Sequence, residues 1–136
     1  NPNGLQLKSF WDADGETTIA VFTPRPEHTA LPGFVYGGLL ASLIDCHGTG
    51  TAAAAAYRAQ NRAMDSAPPL RFVTGSLNVR YLRPTPIGVP LTLRGGVREI
   101  KNRKVIVDIT LAAEGEICVI GEVIALQMPE TMLNGS

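Results

Sequence analysis

Cysteine, tryptophan and surplus charge are all scarce in this 136-residue chain, which holds two Cys and one Trp and balances 12 Lys and Arg against 12 Asp and Glu. Cys46 and Cys118 share no CxxC spacing, which excludes a zinc ribbon or a thioredoxin-type pair. They read as two buried thiols in a reducing compartment, so the expected location is cytoplasmic and no metal is expected. A zero net charge removes the electrostatic footprint of a nucleic-acid binder. Long apolar runs are missing too. The most apolar stretch, Leu39 to Ala56, is interrupted by Asp45, His47, Gly48 and Gly50, whereas a bilayer-spanning helix needs about 20 apolar residues in succession. No basic-then-apolar signal opens these residues, and no membrane partner is expected.

What the chain does contain is core material: 45% hydrophobic residues against 18% charged, a balance incompatible with intrinsic disorder. A chain near 150 residues buries roughly 70% of the surface its unfolded form exposes, so residues 1–136 are read as a single domain with one core.

The period of the apolar residues changes along the chain. Leu5 to Trp11 and Thr17 to Phe22 read as two short strands joined by a turn at Asp12-Ala13-Asp14-Gly15. Pro24, Pro26, Pro32 and Gly33 mark an irregular crossing that Gly37-Gly38 closes. From Leu39 to about Arg62 the chain is rich in Ala and Leu and free of Pro, and Leu39, Leu40, Leu43 and Ile44 fall at helical spacing. Gly48 and Gly50 weaken that helix yet permit close packing on a sheet, and Ala52 to Ala56 reads as a tightly packed face. Thereafter the period is two. Leu77, Val79 and Tyr81 alternate with polar residues up to Arg83-Pro84, and Val105 to Leu111 alternates likewise. Val89 to Glu99 and Glu116 to Gln127 complete four strands, with turns at Lys101-Asn102 and Glu114-Gly115.

Short connections imply an antiparallel sheet in which consecutive strands pair or nearly pair, with the helix covering its apolar face. The expected class is α+β, a curved sheet wrapped around one long helix. One helix cannot cover every face and edge of six strands, so a partner subunit is expected.

The segment Tyr36-Gly37-Gly38-Leu39-Leu40-Ala41-Ser42-Leu43-Ile44-Asp45 carries the chemistry. It resembles the hotdog-fold acyl-CoA thioesterases, and particularly the phenylacetate-pathway type, whose signature is His-Gly-Gly, six residues, then Asp. Asn78-Val79-Arg80-Tyr81-Leu82-Arg83-Pro84 looks like the strand those enzymes place after the helix. The resemblance covers nearly the whole chain and implies hydrolysis of an acyl-CoA thioester by a homodimer or by a tetramer built as a dimer of dimers. It implies no cofactor beyond the CoA of the substrate.

Elementary chemistry reaches the same segment independently. Two glycines at a helix start allow close approach to free N–H groups at the positive end of the helix dipole, a suitable oxyanion hole for a thioester carbonyl. An acid between Ile44 and Cys46 is costly to bury without a partner, and Asp45 is therefore expected to attack the thioester or to activate water. Gly37 and Asp45 are eight residues apart, about 12 Å along a helix, so one copy cannot place both on one carbonyl carbon. The site must combine Gly37 and Gly38 of one subunit with Asp45 of another across a two-fold axis.

Thr49, one turn beyond Asp45, is expected either to orient the acid or to bond back to its own helix. Position 36 is Tyr where the signature has His, and position 30 is Ala where many relatives carry Asn or Gln. A phenol donates a hydrogen bond but relays protons less readily than imidazole. His28 and His47 are candidates to compensate, although His47 reads more simply as an interface or solvent-facing residue. For CoA, Arg80 and Arg83, with Lys101, Asn102, Arg103 and Lys104, are the candidate contacts. Leu39, Leu40, Leu43 and Val73 are candidate walls for an apolar or aromatic acyl group. Ser42 lacks a Gly-x-Ser-x-Gly elbow and is set aside as a nucleophile. The alternative function is a non-catalytic acyl-CoA sensor or carrier of the same fold. A dehydratase ranks last, because no His–acid pairing is present between Tyr36 and Asp45.

Overall fold

The structure is a computed structural model that describes residues 9–25, 33–63, 66 and 68–129. Its elements in chain order are β1 (Phe10–Trp11), β2 (Thr17–Phe22), α1 (Gly37–Ala59), β3 (Phe72–Tyr81), β4 (Leu91–Lys101), β5 (Lys104–Ala113) and β6 (Glu116–Gln127). The α+β class and the single long helix against a six-stranded antiparallel sheet agree with the sequence reading. The helix begins two residues earlier than expected, at Gly37, and ends at Ala59. Leu5, Gln6, Leu7 and Lys8 of the expected first strand, with Pro26, His28, Ala30 and Pro32, lie outside the described residues.

Strand pairing departs from the expectation of consecutive neighbours: the order is β1-β2-β4-β5-β6-β3. Only β1–β2, β4–β5 and β5–β6 pair in sequence order, while β2 pairs with β4, and β3 closes the far edge on β6. The cause is the helix. It lies across β3, β4, β5 and β6 and carries the chain from one side of the sheet to the other before the last three strands fill the gap. The turns fall where Asp, Asn and Gly allow them. Asp14 Oδ1 accepts from the N–H groups of Glu16 and Thr17 at 2.9 and 3.0 Å, and Asn102 and Gly115 take positive φ at the last two hairpins.

The core is Leu39, Leu40, Leu43 and Ile44 of the helix against Leu91, Leu93, Val105, Val107, Ile109, Leu111, Val119 and Val123 of the sheet. Helix and sheet touch most closely at two glycines. A Cβ on Gly48 would fall 2.5 Å from Val123 Cγ2, and one on Gly121 would fall 2.4 Å from Ile44 Cγ2. These contacts fix the height of α1 above β5 and β6, as the close-packing reading of Gly48 anticipates.

Two side chains differ from expectation. Cys46 is exposed, and only Cys118 is a buried thiol, because Cys46 falls on the helix face turned from the sheet. His47 is fully buried rather than interfacial or solvent-facing. The helix lies against the sheet on that side, and hydroxyls from two other segments meet the ring. Ser9 Oγ lies 2.7 Å from Nδ1 and Thr18 Oγ1 lies 3.1 Å from Nε2. Thr18 is joined in turn to Thr51 at 2.6 Å. Among the described residues no helix is long and apolar enough to cross a membrane.

Burial holds the His47 imidazole down to about 4, from an ordinary 6.5, with the hydrogen bond to the Thr18 backbone opposing. Between those values the unfolded chain binds the proton and the folded chain does not. Stability is therefore full above pH 6.5 and falls as the pH drops towards 4. The expected loss is about 3 kcal/mol. Urea midpoints across this range at fixed protein concentration should show that decline, and His47→Gln should flatten it. An equally steep decline in the variant would assign the effect to other groups.

Candidate active site

The site begins with a helix start that caps itself poorly. Tyr36 is the N-cap in extended backbone, φ −74 and ψ 148, and its side chain makes no capping bond. No acidic residue occupies the first turn. The first amides of α1, beginning with Gly37 and Gly38, thus meet no side-chain acceptor from their own helix start. Tyr36 lies over Gly38, where a Cβ would come within 3.2 Å of its Cε2. From the end of β3, the Tyr81 hydroxyl donates to the Gly37 carbonyl at 2.8 Å.

Asp45 is half-buried two turns further along α1. Its Oδ1 accepts a hydrogen bond from Thr74 Oγ1, a residue the sequence reading passes over. Thr49 does not reach the carboxylate: its hydroxyl donates to the backbone carbonyls of Asp45 and Cys46, both at 3.2 Å, which is the back-bonding alternative. Thr74 is brought to the acid by a β-bulge. The pairing of β3 with β6 runs Thr74 to Ala125, then Ser76 to Ile124, leaving Gly75 extra. Bulges re-aim side chains, and a Gly inside a strand pattern is their sequence signal. The Thr74-Gly75 pair was therefore legible in principle, but the period-two pattern only becomes clean at Leu77.

The two ends of β3 meet the two groups of candidate residues. Gly37 meets Tyr81, which pairs with Val119; Asp45 meets Thr74, which pairs with Ala125. Seven residues of β3 separate Thr74 from Tyr81, about 20 Å along a strand. Within one chain Gly37 and Gly38 are not brought to Asp45.

The remaining candidates divide between these ends. Arg83 follows β3 at the Gly37 end, where it pairs with Glu116 in an exposed ion pair. Arg80 is exposed on β3 and borders a hollow on the outer sheet face shared with Arg98, Asp108 and Glu122. In that hollow Arg98 binds Asp108, with Nε to Oδ2 at 2.9 Å, and Glu122 at 2.7 Å. Asn102, Arg103 and Lys104 form the β4–β5 hairpin at the Asp45 end, since Lys104 pairs with Leu126 beside the start of β3.

Of the expected acyl walls, Leu39 and Leu43 belong to the core, and Val73 is exposed on β3. Leu40 does line a cavity of about 480 Å³ beside Gly37, with Phe34, Val35, Tyr81, Leu82 and Pro84, and its lining is largely apolar. Among the described residues no three His, Cys, Asp or Glu side chains gather to hold a metal.

A long helix on an antiparallel sheet, with a Gly-Gly helix start and an acid eight residues on, defines a thioesterase-like architecture. The chain belongs to the thioesterase superfamily, whose family model matches residues 32–120. It has the hotdog fold that this membership carries. A thioesterase superfamily protein from Shewanella loihica PV-4 is 53% identical, with 91% of this chain and 92% of that one covered and a TM-score of 0.74. The acyl-coenzyme A thioesterase THEM4 of Mus musculus is 27% identical over 123 residues, covering 90% of this chain and 47% of its own length. Its Xenopus laevis counterpart is 28% identical over 102 residues, 75% of this chain and 40% of its own. The chain thus spans about half the length of the curated relatives it matches. The BH2602 protein from Bacillus halodurans, solved with CoA, is 19% identical with a TM-score of 0.70 over 92% of this chain and 76% of that one, a likeness of fold.

If Thr74 holds the working carboxylate, Thr74→Ala should lower thioester turnover about tenfold while Thr74→Ser restores most of it. Turnover in Thr74→Ala equal to that of the unchanged chain would remove Thr74 from the site.

Proposed function

We propose that this protein hydrolyses an acyl-CoA thioester to a free carboxylic acid and CoA, in sites shared between two copies of the chain. The observation that carries the reading is the register of β3. It is an edge strand of ten residues, mostly exposed, with Val73, Leu77 and Tyr81 at 46%, 40% and 53% exposure. Such an edge is a template for pairing. Antiparallel pairing of β3 with itself about a two-fold at Asn78, with Gly75 counted as the extra residue of the bulge, sets Thr74 of one copy opposite Tyr81 of the other. Asp45 then faces the Gly37 and Gly38 amides of the other copy. The same operation brings the Asn102, Arg103 and Lys104 hairpin of one copy towards Arg83 of the other, where CoA phosphates would find cations. The Arg83–Glu116 pair is exposed and weak enough to be exchanged for a phosphate. Pairing of two such dimers into a tetramer is part of the proposal, as are a single domain and a cytoplasmic setting.

In the reaction, the thioester carbonyl oxygen sits on the helix-start amides, where the dipole stabilises the charge that develops. The Asp45 oxygen not engaged by Thr74 takes a proton from water as that water bonds to the carbonyl carbon. Collapse of the tetrahedral species breaks the C–S bond, and the CoA thiolate leaves and takes up the proton. Direct attack by Asp45 reaches the same products through an anhydride that water opens. Label on the Asp45 carboxylate after a single turnover in ¹⁸O-water marks the anhydride route, with water opening the anhydride at the Asp45 carbonyl carbon. Tyr36 serves as a hydrogen-bond donor or lid over Gly38 rather than as a proton relay. The apolar cavity beside Gly37 favours an apolar or aromatic acyl group, in keeping with the phenylacetate-pathway type.

A panel of short, medium, long-chain and aryl-CoA esters, read with a thiol-reactive dye, tests the proposal. Asp45→Asn should cut turnover by about 100-fold or more with mass and melting unchanged. Ester binding without turnover by the unchanged chain would instead make the protein a sensor or carrier, and Tyr36 the residue to convert to His.

A further inference from the structure

Two adjacent glycines open α1, and the helix's own side chains hold the second of them, where the Ser42 hydroxyl donates to the Gly38 carbonyl at 3.0 Å, rather than the first. The N-cap side chain is idle, and the first internal bond, from the Leu40 N–H to the Tyr36 carbonyl, is stretched to 3.4 Å. Glycine is the residue whose backbone is freest, so a Gly-Gly helix start is poorly preorganised by itself. An oxyanion hole needs the opposite, donors held in place before charge develops.

The side chain that holds the Gly37 carbonyl comes from outside the helix. Tyr81 is anchored in β3, paired with Val119 of β6. Its hydroxyl donates to the Gly37 carbonyl at 2.8 Å, and its ring lies against Gly37, where a Cβ would meet Cζ and the hydroxyl oxygen at 3.4 Å. The Gly37 carbonyl and the Gly38 N–H belong to one planar trans peptide and point in opposite directions. A donor that holds the carbonyl therefore sets the direction of the amide. It also polarises the peptide, and hydrogen bonds linked through a polarised group strengthen one another by roughly 10–30%.

We infer that Tyr81 is a positioning residue that holds the Gly37 carbonyl and thereby aims the helix-start amides at the thioester oxygen. The inference rests on the thioesterase reading for its catalytic consequence, but not for the backbone geometry it asserts.

The test uses the full chain as Tyr81→Phe, which keeps the ring against Gly37 and removes only the donor. kcat should fall about fivefold, the worth of one modest hydrogen bond, with KM unchanged. The Gly38 amide should move upfield in ¹H–¹⁵N spectra relative to the unchanged chain, with the other β3 amides in place. Fluorotyrosines at position 81, being more acidic donors, should raise kcat and move the Gly38 amide the other way. Asp45→Asn run alongside separates the two readings. If the unchanged chain is active, Asp45→Asn inactive, and Tyr81→Phe within twofold of the unchanged chain, the positioning role is overturned while the thioesterase stands. If no ester is hydrolysed, the thioesterase reading fails, and an unmoved Gly38 amide in Tyr81→Phe would overturn the backbone claim as well.

Discussion

Everything in this molecule follows from the rigidity of one helix. Gly37 and Asp45 are eight residues apart on α1, about 12 Å by the rise of an α-helix, and no loop between them can shorten that separation. The helix cannot shift on the sheet either, because Gly48 meets Val123 and Gly121 meets Ile44 with no room for a methyl group. A helix start suited to an oxyanion and an acid suited to its attack are thus held apart in each chain, and a second copy is the simplest way to unite them.

The sheet is built to the same requirement. Strand β3 runs beside α1 so that its two ends meet the two ends of the candidate segment, Thr74 at Asp45 and Tyr81 at Gly37. Its place at the sheet edge, beyond β6, leaves a ladder of backbone groups unpaired in one chain. At the other side of the helix, buried Thr18, Thr51 and His47 with half-buried Ser9 form a polar cluster that ties α1 to β2 and to the segment before β1. His47 stays neutral there, so it contributes placement of the helix rather than a proton near neutral pH.

Much of this was legible in the sequence, and the parts that were not share a cause. The change of apolar period from helical to two located α1 and the strands β2 to β6 to within a few residues, because burial against one face imposes those periods directly. The Gly-Gly start and the lone acid were legible as chemistry that an apolar helix does not need. Strand order was not, because whether β3 sits next to β4 or beyond β6 depends on where the helix leaves the chain, and no local pattern encodes that. Thr74 was missed because its role comes from a bulge at Gly75 that breaks the alternation used to find the strand. Thr49 carried the right residue type at a plausible spacing, yet its hydroxyl satisfies its own helix carbonyls. His47 was misjudged because two hydroxyls from distant segments, half-buried Ser9 and buried Thr18, supply the partners that make burying a ring with two nitrogens tolerable.

The central claim is that each site draws its amides from one chain and its acid from another, and subunit mixing tests it most directly. Asp45→Asn removes the acid. Gly37→Pro removes an amide at the first helical position, where the extended Tyr36 backbone accommodates a following proline. Each variant alone should be inactive. Unfolded together and refolded, they should regain about one quarter of the activity of the unchanged chain, since half the dimers are mixed and each mixed dimer holds one intact site. A mixture whose heterodimers are confirmed by mass but which stays as inactive as its parents would contradict the shared site.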